Sequence, residues 1–153
     1  MKKLMILFSI LIIYACGSSS NETDTGSTEK PKSMIEDEVP DDGKGIGEII
    51  HVDLNSPLNT AMVAVGKGIF ELKCAACHRL TAQKVVGPGW KGVTERRKPE
   101  WIMNMTLNVD VMLDKDPVAN ALFKECLTRM PNQNLTKEDA RAVLEFMYDN
   151  DAK

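Results

Sequence analysis

The chain has 153 residues, a formal net charge of −3, two histidines, nine methionines and four cysteines. That length holds one small domain plus a leading segment, and leaves no room for two full cores. A charge this small and negative gives no reason to expect a nucleic-acid partner.

Residues 1–15 read as an export signal. Lys2 and Lys3 supply the positive end, and residues 4–14 form an apolar run interrupted only by Ser9. The run is too short for a membrane span of about 20 residues. It stops at Ile13-Tyr14-Ala15-Cys16-Gly17, which resembles a bacterial lipoprotein processing site, with Cys16 as the lipid-bearing new N-terminus. Tyr14 departs from that pattern, where a small residue is usual. The expectation is therefore a periplasmic-side protein, lipid-anchored to a bacterial membrane.

Residues 16–42 are rich in Ser, Thr, Glu, Asp and Pro, with too little apolar surface to offset the entropy of ordering. They read as a flexible acidic linker with a reach of ~25–30 Å. Residues 17–50 carry nine acids against three lysines, whereas residues 51–153 carry fourteen basic and thirteen acidic side chains. The acid excess belongs to the tether. Residues 43–57 read as an irregular arm, and residues 58–153 as the folded domain.

Within that domain, residues 61–73 place Met62, Val65, Ile69 and Leu72 at helical spacing, with Phe70 beside them. Pro99 opens a second helix to about Leu107, with Trp101, Ile102 and Met105 on one side. Asp116-Pro117 starts a third, to about Thr128, with Val118, Leu122 and Cys126 as its apolar face. Thr136 and Asp139 form a capping arrangement for a fourth, carrying Ala140, Val143, Leu144 and Met147. Four helices and no convincing strand make the class all-α.

The first helix runs into Cys74-Ala75-Ala76-Cys77-His78. Two thiols one helical turn apart can both form thioethers to one edge of a porphyrin, and a histidine directly after them can approach the iron from the same side. The spacing encodes covalent attachment of one haem c. A thioredoxin-like redox pair would need a preceding strand and a βαβ unit, and neither is visible. A zinc site would need four ligands, and Cys126, His51 and His78 are too scattered.

With His78 as one axial ligand, His51 is the sole candidate for a bis-histidine haem, and it lies in the arm before the first helix. A methionine suits the other axial position better, since a neutral thioether raises the reduction potential. Met62, Met105 and Met147 fall on apolar helical faces, where core packing is the usual role. Met130 precedes Pro131 in a non-helical stretch free to cross the haem face and is preferred; Met103 and Met112 remain as alternatives.

The order of Gly66, Phe70, the Cys74 to His78 motif, Gly87-Pro88-Gly89-Trp90-Lys91-Gly92, Met130-Pro131 and a closing helix with Leu144 and Tyr148 resembles class I, mono-haem cytochromes c. The resemblance implies that fold, with about four helices wrapped around the haem. It implies that Gly66 allows a close crossing of the first and last helices, with Phe70 near Leu144 or Tyr148. It implies further that the Pro88 carbonyl accepts from His78 Nδ1, fixing the ring and leaving Nε2 for iron. Trp90 stands where the family more often has leucine and reads as a haem-packing side chain. Trp101 either donates its indole N–H to a propionate or is ordinary core, and Arg96 and Arg97 are candidate propionate partners. The strings Thr94-Glu95-Arg96-Arg97, Pro99-Glu100-Trp101-Ile102 and Met130-Pro131-Asn132-Gln133-Asn134-Leu135-Thr136 also resemble small cytochromes associated with bacterial nitrous oxide reductase.

The function expected is one-electron transfer to redox partner proteins, with both axial positions filled, no small-molecule substrate and no enzyme activity. A haem peroxidase or gas-binding protein, the alternative, needs a labile sixth position and a distal proton-handling residue. Between Lys67 and Lys98 eight basic residues face two acids; a rim that steers an acidic partner and ordinary solvated surface both fit. Cys126 remains over, either a buried unreactive thiol or a redox switch.

Overall fold

The computed structural model describes residues 42–153. The signal segment, the lipidation site Cys16 and the linker up to residue 41 lie outside the described residues. Six α-helices follow one another, and no strand occurs among the described residues. They are α1 (Thr60–Ile69), α2 (Val93–Arg96), α3 (Pro99–Leu107), α4 (Val109–Lys115), α5 (Pro117–Cys126) and α6 (Lys137–Asp151). Two more helices occur than periodicity suggested. The additional ones, α2 and α4, are single or double turns, too short for an apolar stripe to declare itself.

Local chemistry sets the helix ends. Asn59 Oδ1 accepts from the N–H groups of Ala61 and Met62 at 3.0 and 3.1 Å, which satisfies two donors at the start of α1. Thr136 and Asp139 exchange side-chain to backbone hydrogen bonds in a full capping box at α6. Helix α5 stops two residues earlier than Thr128 because Leu127 turns into the left-handed region at φ 56°. The last turn of α1 widens into a π-helical segment, Phe70–Cys74, closed by the Ala75 N–H on the Phe70 carbonyl at 2.9 Å.

The core lies where α1 and α3 meet α6. Gly66 is the contact point: a Cβ there would stand 2.1 Å from the Ala142 carbonyl oxygen and 2.9 Å from Phe146 Cβ. The approach rotates α1 away from the stripe expected of it. Gly66 and Phe70 face inward, while Val65 is 54% and Leu72 87% exposed. Phe70 packs on Phe146 and Trp90, with ring centres 5.8 and 4.7 Å away, in the same buried cluster as Leu144.

Residues 42–59 carry no helix and bind the back of the fold through buried polar groups. Asn104, 1% exposed, donates to the carbonyls of Lys44 and Ile49 and accepts from the Ile49 N–H. Met112 Sδ accepts from the Ile46 N–H at 3.0 Å. Every buried polar side-chain atom among the described residues has a partner. No helix there is long and apolar enough to cross a membrane.

Candidate functional site

The π-helical turn delivers the Cys74 to His78 motif to the wall of a cleft. Within it the N–H groups of Cys77 and His78 both donate to the Cys74 carbonyl, at 3.1 and 2.9 Å. This closes one tight turn, and Cys74, Cys77 and His78 all line the same cleft. Both thiols are free. Burial pushes the Cys74 thiol up to about 11, against an opposing pull from Lys73 and with a smaller push from Cys77. A thiol held that high lacks the thiolate character of a redox-active pair.

His78 is oriented by the loop that follows. Its Nδ1 lies 2.8 Å from the Pro88 carbonyl oxygen, and Nε2 has no hydrogen bond among the described residues. Burial lowers the imidazole pKa, which the Pro88 contact partly opposes. The ring is thus neutral near pH 7, as a metal ligand must be. The loop can come this close because of Gly87: a Cβ there would stand 2.4 Å from His78 Cε1. Gly89 does the same against the Thr81 carbonyl oxygen, at 2.2 Å. Trp90, 6% exposed, then packs beside His78 with ring centres 5.8 Å apart.

The remaining walls come from α2, α3, α4, α5, α6 and the loop after α5. Trp101, Ile102, Leu113, Leu122, Phe123 and Met130 are among the side chains that line it. The space between atoms is about 1430 Å³ with the open mouth included, bounded mainly by apolar side chains. Apolar walls with two free thiols, a neutral imidazole with a free nitrogen and a thioether supply the donor set of a covalently held porphyrin with iron. The residues present fit that group.

Other sequence candidates fall differently. Met103 and Met112 are core side chains outside the cleft, whereas Met105 and Met147, assigned to packing, line it beside Met130. His51 is exposed next to Asp53 at 2.9 Å and away from the cleft. The Trp101 indole N–H is not free for a propionate; it donates to Asp116 Oδ1 at 3.2 Å, the carboxylate that caps α5. Arg96 donates to the Lys91 carbonyl, and Arg97 lies over the Trp101 ring, yet both border the cleft. Cys126 is half-buried on the cleft wall rather than in the packed core, because α5 presents its Leu122 and Cys126 face to the cleft.

Sequence reading missed the polar ties around the mouth. Lys73 Nζ donates to the Gln133 carbonyl at 2.9 Å, and Lys84 Nζ pairs with Glu125 at 3.1 Å. Arg129 binds Asp110 and Asp114. No local pattern marks such pairs, since the partners are far apart in the chain.

An all-helical domain wrapped around an apolar cleft with this donor set defines a haem-binding electron carrier. The cytochrome c family pattern matches residues 63–150. A cytochrome c from Rhodothermus marinus superposes with a TM-score of 0.67 at 36% identity, over 69% of this chain and 90% of that one. An engineered cytochrome c from the same organism, Rma TDE, gives 0.67 at 34% identity, over 70% and 92%. The cytochrome c domain of the pp3183 protein from Pseudomonas putida gives 0.50 at 26% identity, over 57% and 89%. No curated protein matches the chain. The chain belongs to the cytochrome c family and, with it, carries covalently bound haem c with iron.

Proposed function

We propose that the protein is a membrane-tethered, extracytoplasmic one-electron carrier whose single haem is bonded to Cys74 and Cys77 and ligated by His78 and Met130. One observation carries the reading: two free thiols, an imidazole with a free Nε2 and the Met130 thioether converge on one apolar cleft. When bound, the haem supplies cycling of its iron between Fe(II) and Fe(III). The chain's own residues do the rest. Pro88 holds the His78 tautomer, Trp90 and the α3 side chains keep water out, and Met130 fills the position that a peroxide or gas would need. His51 stands too far off to act as a distal proton donor.

The tether follows from the sequence. Residues 1–15 act as the signal, Cys16 takes the lipid, residues 16–42 form the acidic linker and 43–57 the arm, leaving 58–153 as the cytochrome domain on the periplasmic side. Its partners are redox proteins, and the motif strings around Arg96, Trp101 and Met130 favour nitrous oxide reductase or its electron supply. Partner docking on a basic rim draws on Lys73, whose ammonium donates to the neutral Gln133 carbonyl and keeps its charge, more than on Lys84, whose charge is paired with Glu125.

The test is spectroscopic. Ferric protein should show the far-red band of a methionine–iron bond and lose it in Met130→Ala, and Cys74→Ser/Cys77→Ser should lose covalent haem. A five-coordinate ferric spectrum with rapid peroxide turnover would overturn the carrier. Cys16→Ala should move the protein from the membrane to the soluble fraction.

A further inference from the structure

Met130 reaches the cleft on the loop that leaves α5 through the left-handed Leu127. Only Thr128 and Arg129 stand between that turn and Met130, and Arg129 is fastened to α4. Its two terminal nitrogens both donate to Asp114 Oδ1 at 3.1 Å. Nη2 and Nε donate to Asp110 Oδ1 at 3.2 and 3.3 Å, and Nη2 also reaches the Asp110 carbonyl oxygen at 3.3 Å. The guanidinium carbon lies 6.0 Å from the centre of the Phe123 ring on α5.

Asp110 and Asp114 sit four residues apart on one face of α4, where like charges repel unless a cation lies between them. A planar fork with five donors in fixed directions meets two carboxylates at once in a geometry that the point charge of an ammonium does not reproduce. The three side chains are 41%, 65% and 63% exposed, so isolated pairs of this kind would add little to global stability. What the cluster does is local. It ties the residue immediately before Met130 to a helix whose Met112 and Leu113 are buried in the core. On the far side of Met130, Lys73 holds the Gln133 carbonyl.

We propose that Arg129, gripped by Asp110 and Asp114, is a positioning residue that holds Met130 in place and sets how readily its thioether leaves the iron. The inference rests on Met130 being the sixth ligand. In the exchange it governs, the iron–sulfur bond breaks with the electron pair kept on sulfur, and an entering ligand supplies its own pair, with no change in oxidation state.

The test uses the full-length, haem-loaded ferric protein with imidazole as entering ligand. Arg129→Gln and Asp110→Asn/Asp114→Asn should each speed imidazole binding about tenfold, equivalent to 1.4 kcal/mol, with helical circular dichroism unchanged. The triple variant should be no faster than either, because all three changes remove one interaction. Arg129→Lys, which keeps the charge and loses the fork, should fall between. Raising salt to about 1 M, where screening acts within about 3 Å, should speed the wild type and leave Arg129→Gln unchanged. Equal rates across the set, with the far-red band present in the wild type and lost in Met130→Ala, would overturn the clamp and leave the ligand assignment standing. A wild-type ferric spectrum without that band would overturn both.

Discussion

His78 donates from Nδ1 to the Pro88 carbonyl oxygen at 2.8 Å, and the residue that makes this contact reachable is Gly87. The Gly87 N–H bonds back to the Cys77 carbonyl at 2.9 Å, so the loop and the cysteine motif form one rigid unit. A methyl group at Gly87 would collide with the imidazole at Cε1. Either the ring tilts or the Pro88 carbonyl withdraws, and both disturb the nitrogen that faces the iron. Gly87→Ala should therefore lower the covalent haem content and shift the reduction potential, read by pyridine haemochrome assay and redox titration. Loss of an orienting contact to a metal-bound histidine typically costs ~10–100-fold in metal affinity or activity. Unchanged haem content and potential would show that the loop yields freely.

Two glycines in α1 should respond in opposite directions to the same change. Gly66 meets the Ala142 carbonyl oxygen, whereas Gly68 has open space around its missing Cβ. Gly66→Ala should force α1 and α6 apart and destabilise the fold by about 1–3 kcal/mol, the usual range for overpacking. Gly68→Ala should stabilise it by about 0.5–1 kcal/mol, because alanine loses less backbone entropy in a helix interior. Denaturant unfolding of the two variants checks the pair, and equal midpoints would refute the close crossing.

The parts of the fold legible in the sequence were those with local causes. Asp116-Pro117 and the Thr136–Asp139 pair mark helix starts because caps act within one turn. The thiol and histidine spacing was legible because the attachment chemistry needs it. The buried face of α1 was not legible from hydrophobic spacing, and only the family resemblance pointed to Gly66: Val65 and Leu72 are as apolar as Ile69, and the contact of Gly66 with α6 decides which stripe turns inward. The same holds for Trp101, whose N–H partner Asp116 lies on another helix. The Arg129 grip escaped for that reason too, since spacing on α4 carries no mark of a loop beyond α5.

Asp116 does two jobs with one oxygen, accepting the Ala119 N–H at 2.8 Å to cap α5 and the Trp101 indole N–H at 3.2 Å. Asp116→Ala would remove the cap and leave a buried indole donor unpaired. Each loss typically amounts to about 1–2 kcal/mol. The pair should thus cost more than the exposed Asp114→Ala, and thermal unfolding compares them. Trp101→Phe removes the donor but also leaves a cavity where the larger indole was, so its penalty should be smaller in the Asp116→Ala background than in the wild type; equal penalties would show that the cap alone matters.

Glu145 has a fully buried side chain, and it accepts from the Asn59 N–H at 2.7 Å, from Asn55 Nδ2 at 3.1 Å and from Arg141. Burial alone would raise its pKa, but the hydrogen bonds from Asn59, Arg141 and Asn55 favour the ionised form and hold the carboxyl below its ordinary range. The folded state therefore binds a proton less readily than the unfolded chain. The stabilisation is complete above the unfolded carboxylate range and is lost as pH falls from about 5 through the folded value. Glu145→Gln should lower stability at pH 7 by about 1–3 kcal/mol, since Arg141 and the start of α1 lose a charged acceptor. Its stability should also fall less steeply between about pH 5 and 3 than that of the wild type. Urea unfolding of both proteins across that range measures the slope, and parallel curves would mean that Glu145 does not carry the acid sensitivity.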